Sequence, residues 1–96
     1  MIQGFKSETA EDVFHGLSTK ESRRIPQAIW TVARRKMDMV NAAHDLNDLR
    51  VPPANRLEAL KGDFRDYHSI RINDQFRVVF LWVDSNAHDV DIVDYH

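Results

Sequence analysis

A chain of 96 residues is the size of one domain, and we expect residues 1–96 to fold as a single unit. Its 43% hydrophobic and 29% charged residues are typical of a globular protein. The complete lack of cysteine excludes disulfides, thiolate metal sites and thiol nucleophiles, and no apolar run reaches the ~18 residues of a membrane span. Because the first six residues also lack the layout of a signal peptide, we expect a cytoplasmic protein that does not enter a membrane.

The charge of the chain is unevenly distributed. The formal net charge of −2 argues against a general nucleic-acid coat protein. Residues 23–36 nevertheless hold five Lys and Arg residues with no acidic one, residues 50–77 are also rich in basic residues, and none follows Arg77. Such a molecule can bind a polyanion on one face and remain soluble, although the same charges can equally form solvated faces.

Two helices are predicted in the first half of the chain. A short strand over residues 2–5 precedes Ser7, which is placed to cap a helix with an acidic first turn that ends before Gly16. Pro26 then stands where the first turn of a second helix tolerates proline. An apolar face recurs at helical spacing along this helix, and Arg34, Arg35 and Asp38 take the other face. The apolar face consists of Ile29, Val32, Ala33, Met37, Val40 and Ala43.

The second half of the chain reads as a sheet. Pro52-Pro53 makes residues 46–56 a loop, because neither proline can lie inside a helix or a central strand. Strands are predicted at 57–60, 69–72, 76–83 and 90–95, with turns at 61–63, 73–74 and 84–86. The nearly continuous apolar run of 76–83 is typical of a central strand covered on both sides. The fold class is therefore α+β: an N-terminal strand and two helices packed on one face of a mainly antiparallel, twisted sheet of about four to five strands.

Several kinds of catalytic site are not indicated. The five histidines, at positions 15, 44, 68, 88 and 96, show no metal-binding spacing, and there is neither a phosphate-binding glycine loop nor a nucleophile elbow. The chain has one acidic cluster, formed by Asp89, Asp91 and Asp94, with no acidic partner elsewhere in view. We therefore expect no metal and no other cofactor.

The remaining candidates are Lys61 after a strand, Arg77 at the start of the central strand, and the final Asp94-Tyr95-His96. RNA carries its own nucleophile, the 2′-OH, so its cleavage needs only a base, an acid and cations that stabilise the phosphorane. Histidine suits proton transfer near neutral pH, and Lys and Arg suit the anion. Each residue alone is weak evidence, since a terminal histidine is usually a frayed end and an arginine on a strand is usually solvated or paired.

Five segments follow one another along nearly the whole chain: residues 33–37, residues 49–53, Asn55-Arg56-Leu57-Glu58-Ala59-Leu60-Lys61-Gly62-Asp63, residues 68–77 and the final Val93-Asp94-Tyr95-His96. Together and in this order they resemble HigB-type toxins of the RelE superfamily. The resemblance implies a RelE-like fold and the toxin of a chromosomal type II toxin–antitoxin pair. It further implies a metal-independent endoribonuclease that enters the ribosomal A site and cleaves mRNA there, inhibiting translation and growth.

The resemblance also assigns residues and partners. Lys61, Arg77, Asp94, Tyr95 and His96 match the catalytic positions: the two cations would hold the scissile phosphate, His96 would transfer protons with help from Asp94, and Tyr95 would stack on or hydrogen-bond the nucleotide. Substrate contacts would come from Arg56, Glu58 and Arg71. Glu58 stands where some members of the family carry histidine, so it could be a base or be structural, and a surface role for Arg56 and Arg71 stays equally open.

The implied partners are the ribosome with its mRNA and a HigA-like antitoxin with a helix-turn-helix domain, which would inhibit the toxin. Operator DNA would be reached only through that antitoxin. Two other readings compete with the nuclease. One is a catalytically inactive binding protein that acts through the antitoxin complex and operon regulation, although no matched catalytic position is lost. The other, a generic RNA-binding module, is disfavoured by the mildly acidic total charge and by the lack of an exposed aromatic platform, since the stripe of Phe76, Phe80 and Trp82 is typical of core.

Overall fold

The computed structural model describes residues 1–95. Its helices and strands are α1 (Glu8–Phe14), α2 (Trp30–Ala42), β1 (Glu58–Ala59), β2 (Tyr67–Arg71), β3 (Phe76–Val83) and β4 (Asn86–Asp94). Short 3₁₀ turns lie between them, two of them in the predicted loop, at Leu46–Arg50 and Pro53–Asn55. Neither helix in this range is long and apolar enough to cross a membrane.

Both predicted helices are present, and α1 has the predicted ends. Ser7 Oγ accepts the Ala10 N–H at 3.1 Å, which supplies one of the bonds that the first turn cannot make internally. Gly16 adopts φ 72° just past the helix. A side chain there would be strained by this left-handed conformation, and its Cβ would lie 2.9 Å from Arg34 Nη1.

The second helix begins later than predicted. Pro26 precedes a 3₁₀ turn, Gln27–Ile29, and the α-helical hydrogen-bond pattern starts only at Trp30. 3₁₀ turns often form the first turn of an α-helix, so the sequence pattern does not separate the two, and the helix was predicted to start too early. The apolar face is as predicted, because Ala33, Met37 and Val40 are all fully buried.

The four strands form an antiparallel sheet in the order β1-β2-β3-β4, which confirms the α+β class. The predicted strand over residues 2–5 is reduced to two isolated parallel bridges, Ile2 with Ala87 and Phe5 with Val90. The N-terminal segment therefore runs beside β4 but does not form a continuous strand of the sheet.

The last strand starts at Asn86, four residues before the predicted Val90. Asp89 has φ 51° at a register shift opposite β3, so a bulge interrupts the alternation of inward and outward side chains. Ala87 and Val90 are consequently both buried although they are three residues apart. A strict two-residue period cannot detect a strand that contains such a bulge.

The two faces of β3 differ. Val78 and Phe80 are fully buried in one core with Met37 of α2 and Val13 of α1. The opposite face holds Arg77, Val79, Leu81 and Val83, and the exposed fraction rises from 8% at Arg77 to 41% at Val83. The expectation that β3 is covered on both sides therefore holds only for its first half. Both helices pack on the face of Val78 and Phe80, and the other face, buried at Arg77 and Val79, becomes exposed toward Val83.

Truncation of the central core residue should cost much of the stability. Phe80→Ala removes a fully buried ring between the helices and the sheet, so we expect a loss of about 3–5 kcal/mol in the free energy of unfolding. Val83→Ala, on the exposed face of the same strand, should change it by less than about 0.5 kcal/mol. Urea denaturation followed by circular dichroism measures both. Equal losses would contradict the one-sided core.

Candidate active site

Arg77 is a buried cation at the start of β3, with 8% of its surface exposed. Its Nη1 donates to Glu58 Oε1 of β1 at 3.2 Å, and its Nη2 donates to the Arg56 carbonyl at 2.5 Å. The Tyr95 ring covers the guanidinium, with its centroid 5.4 Å from Cζ. Among the described residues Nε has no hydrogen-bond partner. Arg77 therefore contacts two other parts of the chain, the segment 56–58 and Tyr95, and has little freedom to move.

Two arginines stand opposite each other in the sheet, Arg71 at the end of β2 and Arg77. Like charges in directly opposed positions destabilise a sheet unless each is neutralised. Here each has its own carboxylate, because Arg77 pairs with Glu58 and Arg71 pairs with Asp74. Both arginines are thus engaged within the protein, and the Glu58 side chain remains 51% exposed.

The loop that ends at Arg56 is held by a second buried polar pair. Asn55 is fully buried and accepts a hydrogen bond from Lys36 Nζ of α2 at 2.5 Å. Its Nδ2 donates to the Leu49 carbonyl at 3.2 Å. Arg56 itself has φ 47°, a left-handed conformation that turns the chain into β1. Asn55 thereby fixes the position from which the Arg56 carbonyl reaches Arg77.

Desolvation changes the acidity of that lysine. Burial lowers the pKa of Lys36 below its usual 10.5, and the charges of Arg35 and Arg71 act in the same direction. The hydrogen bond from Lys36 Nζ to Asn55 offsets part of the cost of removing this group from water.

A groove of about 270 Å³ opens on the sheet face that the helices leave uncovered. Its lining is mostly apolar, with one exposed cation; the residues are Leu60, Lys61, Phe64, Val79, Val93 and Tyr95. Lys61 and Tyr95 thus meet at the same opening although they are 34 positions apart in the sequence. The structure brings five predicted site residues together: Arg77 contacts Glu58, the Arg56 carbonyl and the Tyr95 ring, and Lys61 lines the same groove as Tyr95.

Asp94 and Tyr95 are held by the turn between β2 and β3. Gln75 Nε2 donates to Asp94 Oδ2 at 2.9 Å, and the Tyr95 N–H donates to the Gln75 carbonyl at 2.6 Å. The predicted proton-transfer residue His96 lies outside the described residues. Within residues 1–95, no group of three or more His, Asp and Glu side chains is placed to hold a metal ion.

Sequence reasoning missed three residues of this region, namely Lys36, Asn55 and Phe64. Lys36 lies three residues after Ala33, which puts it at the border of the apolar face of α2, and this spacing was a usable signal for its burial. Phe64 is a lone apolar residue in the polar segment Gly62-Asp63-Phe64-Arg65-Asp66, which is also a signal. Nothing local marks Asn55, because its partners come from other elements.

Comparison with solved structures gives the class of the fold. The YoeB–YefM complex from Staphylococcus aureus contains a chain that superposes with a TM-score of 0.61 at 17% identity, over 100% of this chain and 98% of that one. A mutant of YafQ from Escherichia coli superposes with a TM-score of 0.64 at 12% identity, over 99% and 94%. The molecule has the RelE-like α+β fold.

Comparison of sequences gives the family. Residues 3–96 match the HigB-like toxins, described as the RelE-like toxin of the type II toxin-antitoxin system HigB. Toxin HigB-1 of Vibrio cholerae serotype O1 is 40% identical over 87 residues, which span 91% of this chain and 90% of that relative. The chain belongs to the HigB-like toxin family. Its partner class is accordingly an antitoxin.

Removal of the buried amide should weaken the fold. Asn55→Ala leaves the Lys36 ammonium without its partner, so we expect a loss of about 1–3 kcal/mol in the free energy of unfolding. Asn47→Ala is the matched control, because Asn47 is exposed and bonds only at the surface. Urea denaturation of both variants measures the difference. A loss in Asn55→Ala no larger than in the control would contradict the anchoring role.

The lowered pKa of Lys36 predicts a pH dependence. Between the folded pKa and 10.5 the unfolded chain binds more protons than the native chain, so the free energy of unfolding contributed by Lys36 rises with pH. Lys36→Met lacks this contribution. The free energy of unfolding of the wild type minus that of Lys36→Met should therefore become more positive as the pH rises toward 10.5. Urea denaturation at a series of alkaline pH values measures it. A constant difference would refute a desolvated charge at this position.

Proposed function

We propose that this toxin is a ribosome-dependent endoribonuclease that cleaves mRNA in the A site without a metal or other cofactor. The observation that carries the proposal is the groove that exposed Lys61 and Tyr95 both line, beside the buried Arg77 and its half-exposed partner Glu58. A cation at the rim can meet a phosphate, and an aromatic ring can stack on an unpaired base. Membership of the HigB-like toxin family supports the same activity.

The reaction proposed is transfer of the phosphate to the 2′ oxygen of the same nucleotide. A base removes the 2′ proton, the 2′ oxygen attacks the adjacent phosphorus, and the 5′ oxygen of the next nucleotide leaves with a proton from an acid. The products are a 2′,3′-cyclic phosphate and a 5′-OH. Negative charge builds up on the phosphorane oxygens, so nearby fixed cations lower the barrier.

The two cations take different parts in this proposal. Lys61 is exposed and contacts the scissile phosphate directly. Arg77 has both Nη atoms occupied by Glu58 and the Arg56 carbonyl, so it acts as a fixed positive charge that stabilises the anion and holds Tyr95. This refines the expectation that both cations grip the phosphate in the same way.

Proton transfer is assigned to His96, with Asp94 and Glu58 as the carboxylates that could take the 2′ proton. One oxygen of Glu58 binds Arg77 and the side chain is half exposed, which leaves the second oxygen open to solvent. Arg56 and Arg71 are proposed to contact RNA beside the site, and the exposed Arg34 and Arg35 of α2 to face ribosomal RNA.

For the antitoxin we propose a HigA-like protein with a helix-turn-helix domain. It would inhibit the toxin and carry the complex to operator DNA, which the toxin would not contact by itself. A toxin that only bound this partner, without cleaving RNA, is the competing function.

Loss of the rim cation should abolish most of the activity. In a reconstituted translation reaction, Lys61→Ala should lower the rate of mRNA cleavage by about 10²–10³-fold, as expected for removal of one group that stabilises the developing charge. Lys20→Ala, which removes an exposed lysine before the turn that packs against α1, should cleave at the wild-type rate. Primer extension on the translated message, with and without ribosomes, measures the cleavage.

Two outcomes would contradict the proposal. Cleavage of naked RNA at the rate seen with ribosomes would remove the ribosome-dependent part. If the wild type and His96→Ala were equally harmless on induction in a host with sensitive ribosomes, while both bound the antitoxin, the binding-protein alternative would stand.

A further inference from the structure

The groove on the open sheet face has two aromatic walls. Phe64 comes from the segment between β1 and β2, and Tyr95 follows β4. Their exposed fractions are nearly equal, 49% and 47%, and both rank among the large hydrophobic side chains that the fold leaves unburied. Val79 of β3 and Val93 of β4 line the same groove with aliphatic side chains, and we call these two residues its floor. A half-exposed pair of rings across an apolar floor is unusual for a surface that has no partner.

Contacts on its outer side fix the Phe64 ring in place. The Tyr67 ring packs perpendicular to it, at 86° and 5.7 Å between centroids. The Lys6 ammonium lies 5.9 Å from the Phe64 centroid. Tyr67 is in turn fixed by its hydroxyl, which donates to Asp89 Oδ2 at 3.0 Å. Phe64 is therefore a positioned wall and not a loose side chain on a turn.

The opposite wall is fixed as well. The Tyr95 ring rests over the Arg77 guanidinium, and its backbone N–H is bonded to the Gln75 carbonyl. Both rings are thus set before any ligand arrives, which lowers the entropy lost on binding.

We infer that Phe64 and Tyr95 hold one unpaired RNA base between them over the Val79–Val93 floor, with the phosphate of the same nucleotide at Lys61. This deepens the proposed function and rests on it, because it names how the substrate is seated. Phe64 then becomes a substrate-positioning residue that neither the resemblance nor the basic pattern of the sequence indicated.

Size and charge favour a base over a peptide segment as the occupant. Pockets for drug-sized ligands span about 300–1,000 Å³, so a groove of about 270 Å³ accommodates one planar ring system. Every base has a π-face that stacks on aromatic side chains, irrespective of sequence. Lys61 at the rim supplies the positive charge that a nucleotide phosphate needs, and Arg77 adds a second beneath Tyr95. An apolar peptide segment would gain nothing from these two cations.

Direct binding provides the first test. Adenosine 5′-monophosphate and ribose 5-phosphate are added separately to the full chain, and methyl and aromatic NMR signals are followed. The nucleotide should shift the signals of Phe64, Tyr95, Val79 and Val93, whereas ribose 5-phosphate, which has no base, should leave them in place. Base-dependent shifts located elsewhere, or no difference between the two probes, would overturn the inference.

Substitution of the ring provides the second test. Phe64→Leu keeps an apolar side chain but loses the π-face, so it should weaken nucleotide binding about 5- to 150-fold, the range that one stacked base is worth. Phe64→Trp should restore it. Because residue 64 is half exposed, neither variant removes a core side chain, and the unfolding midpoint of each is measured to verify this. Equal binding by the wild type and Phe64→Leu would refute the role of the ring.

Cleavage separates this inference from the proposed function. In the ribosomal reaction, Phe64→Ala should lower kcat/KM by the same 5- to 150-fold range, with Phe64→Trp near the wild type. Wild-type cleavage by Phe64→Ala would overturn the inference and leave the nuclease standing. If the wild type bound the nucleotide in the groove in a base-dependent way but did not cleave mRNA, base binding between Phe64 and Tyr95 would be supported and the nuclease refuted. If Phe64→Ala lost antitoxin binding but kept nucleotide binding, the groove would belong to the antitoxin.

Discussion

Arg77 is a cation withdrawn from water at the start of β3, and its guanidinium contacts both the segment 56–58 and Tyr95. Its partner Glu58 is half exposed, so loss of Glu58 would leave a largely buried charge with the Arg56 carbonyl as its hydrogen-bond acceptor. Glu58, the Arg56 carbonyl and the Tyr95 ring are therefore fixed with respect to one another. The two-residue β1 strand and Tyr95, which follows β4, are not neighbours in the sheet, yet both contact this one side chain.

A second cation holds the same loop from the helical side. Lys36 of α2 binds Asn55, and Arg77 of β3 binds the carbonyl of the next residue, Arg56. Residues 46–56 contain two prolines and form 3₁₀ turns in place of strand pairing, so side chains from other elements must satisfy their polar groups. Because adjacent residues are bound from opposite layers, the packing of α2 on the sheet and the geometry of the site are coupled.

The parts of this architecture that follow a regular period could be predicted from the sequence. The apolar face of α2 and the strand at 76–83 have such periods, and the family motifs led to Lys61, Arg77 and Tyr95. The parts that failed depend on local irregularity or distant contacts. The bulge at Asp89 broke the alternation in the first half of β4, and the second face of β3 is apolar in sequence although its end at Val83 is 41% exposed. The pattern of apolar residues along a sequence does not show that two residues of one strand lie opposite one residue of the next, as they do in a bulge. It also does not show on which face of the sheet the helices pack.

Lys61 and Arg77 look equivalent in the sequence, and burial separates them. A guanidinium is a planar fork that can bind a carboxylate and a carbonyl at once, which is how Arg77 uses its two Nη atoms. An ammonium on a flexible stem is a strongly hydrated point charge, suited to the exposed rim where Lys61 lies. The fixed Arg77 orients Tyr95 and Glu58 and is too constrained to follow a moving group. In the nuclease proposed above, the exposed Lys61 would follow the phosphate during the reaction, whereas Arg77 would supply a charge that does not move.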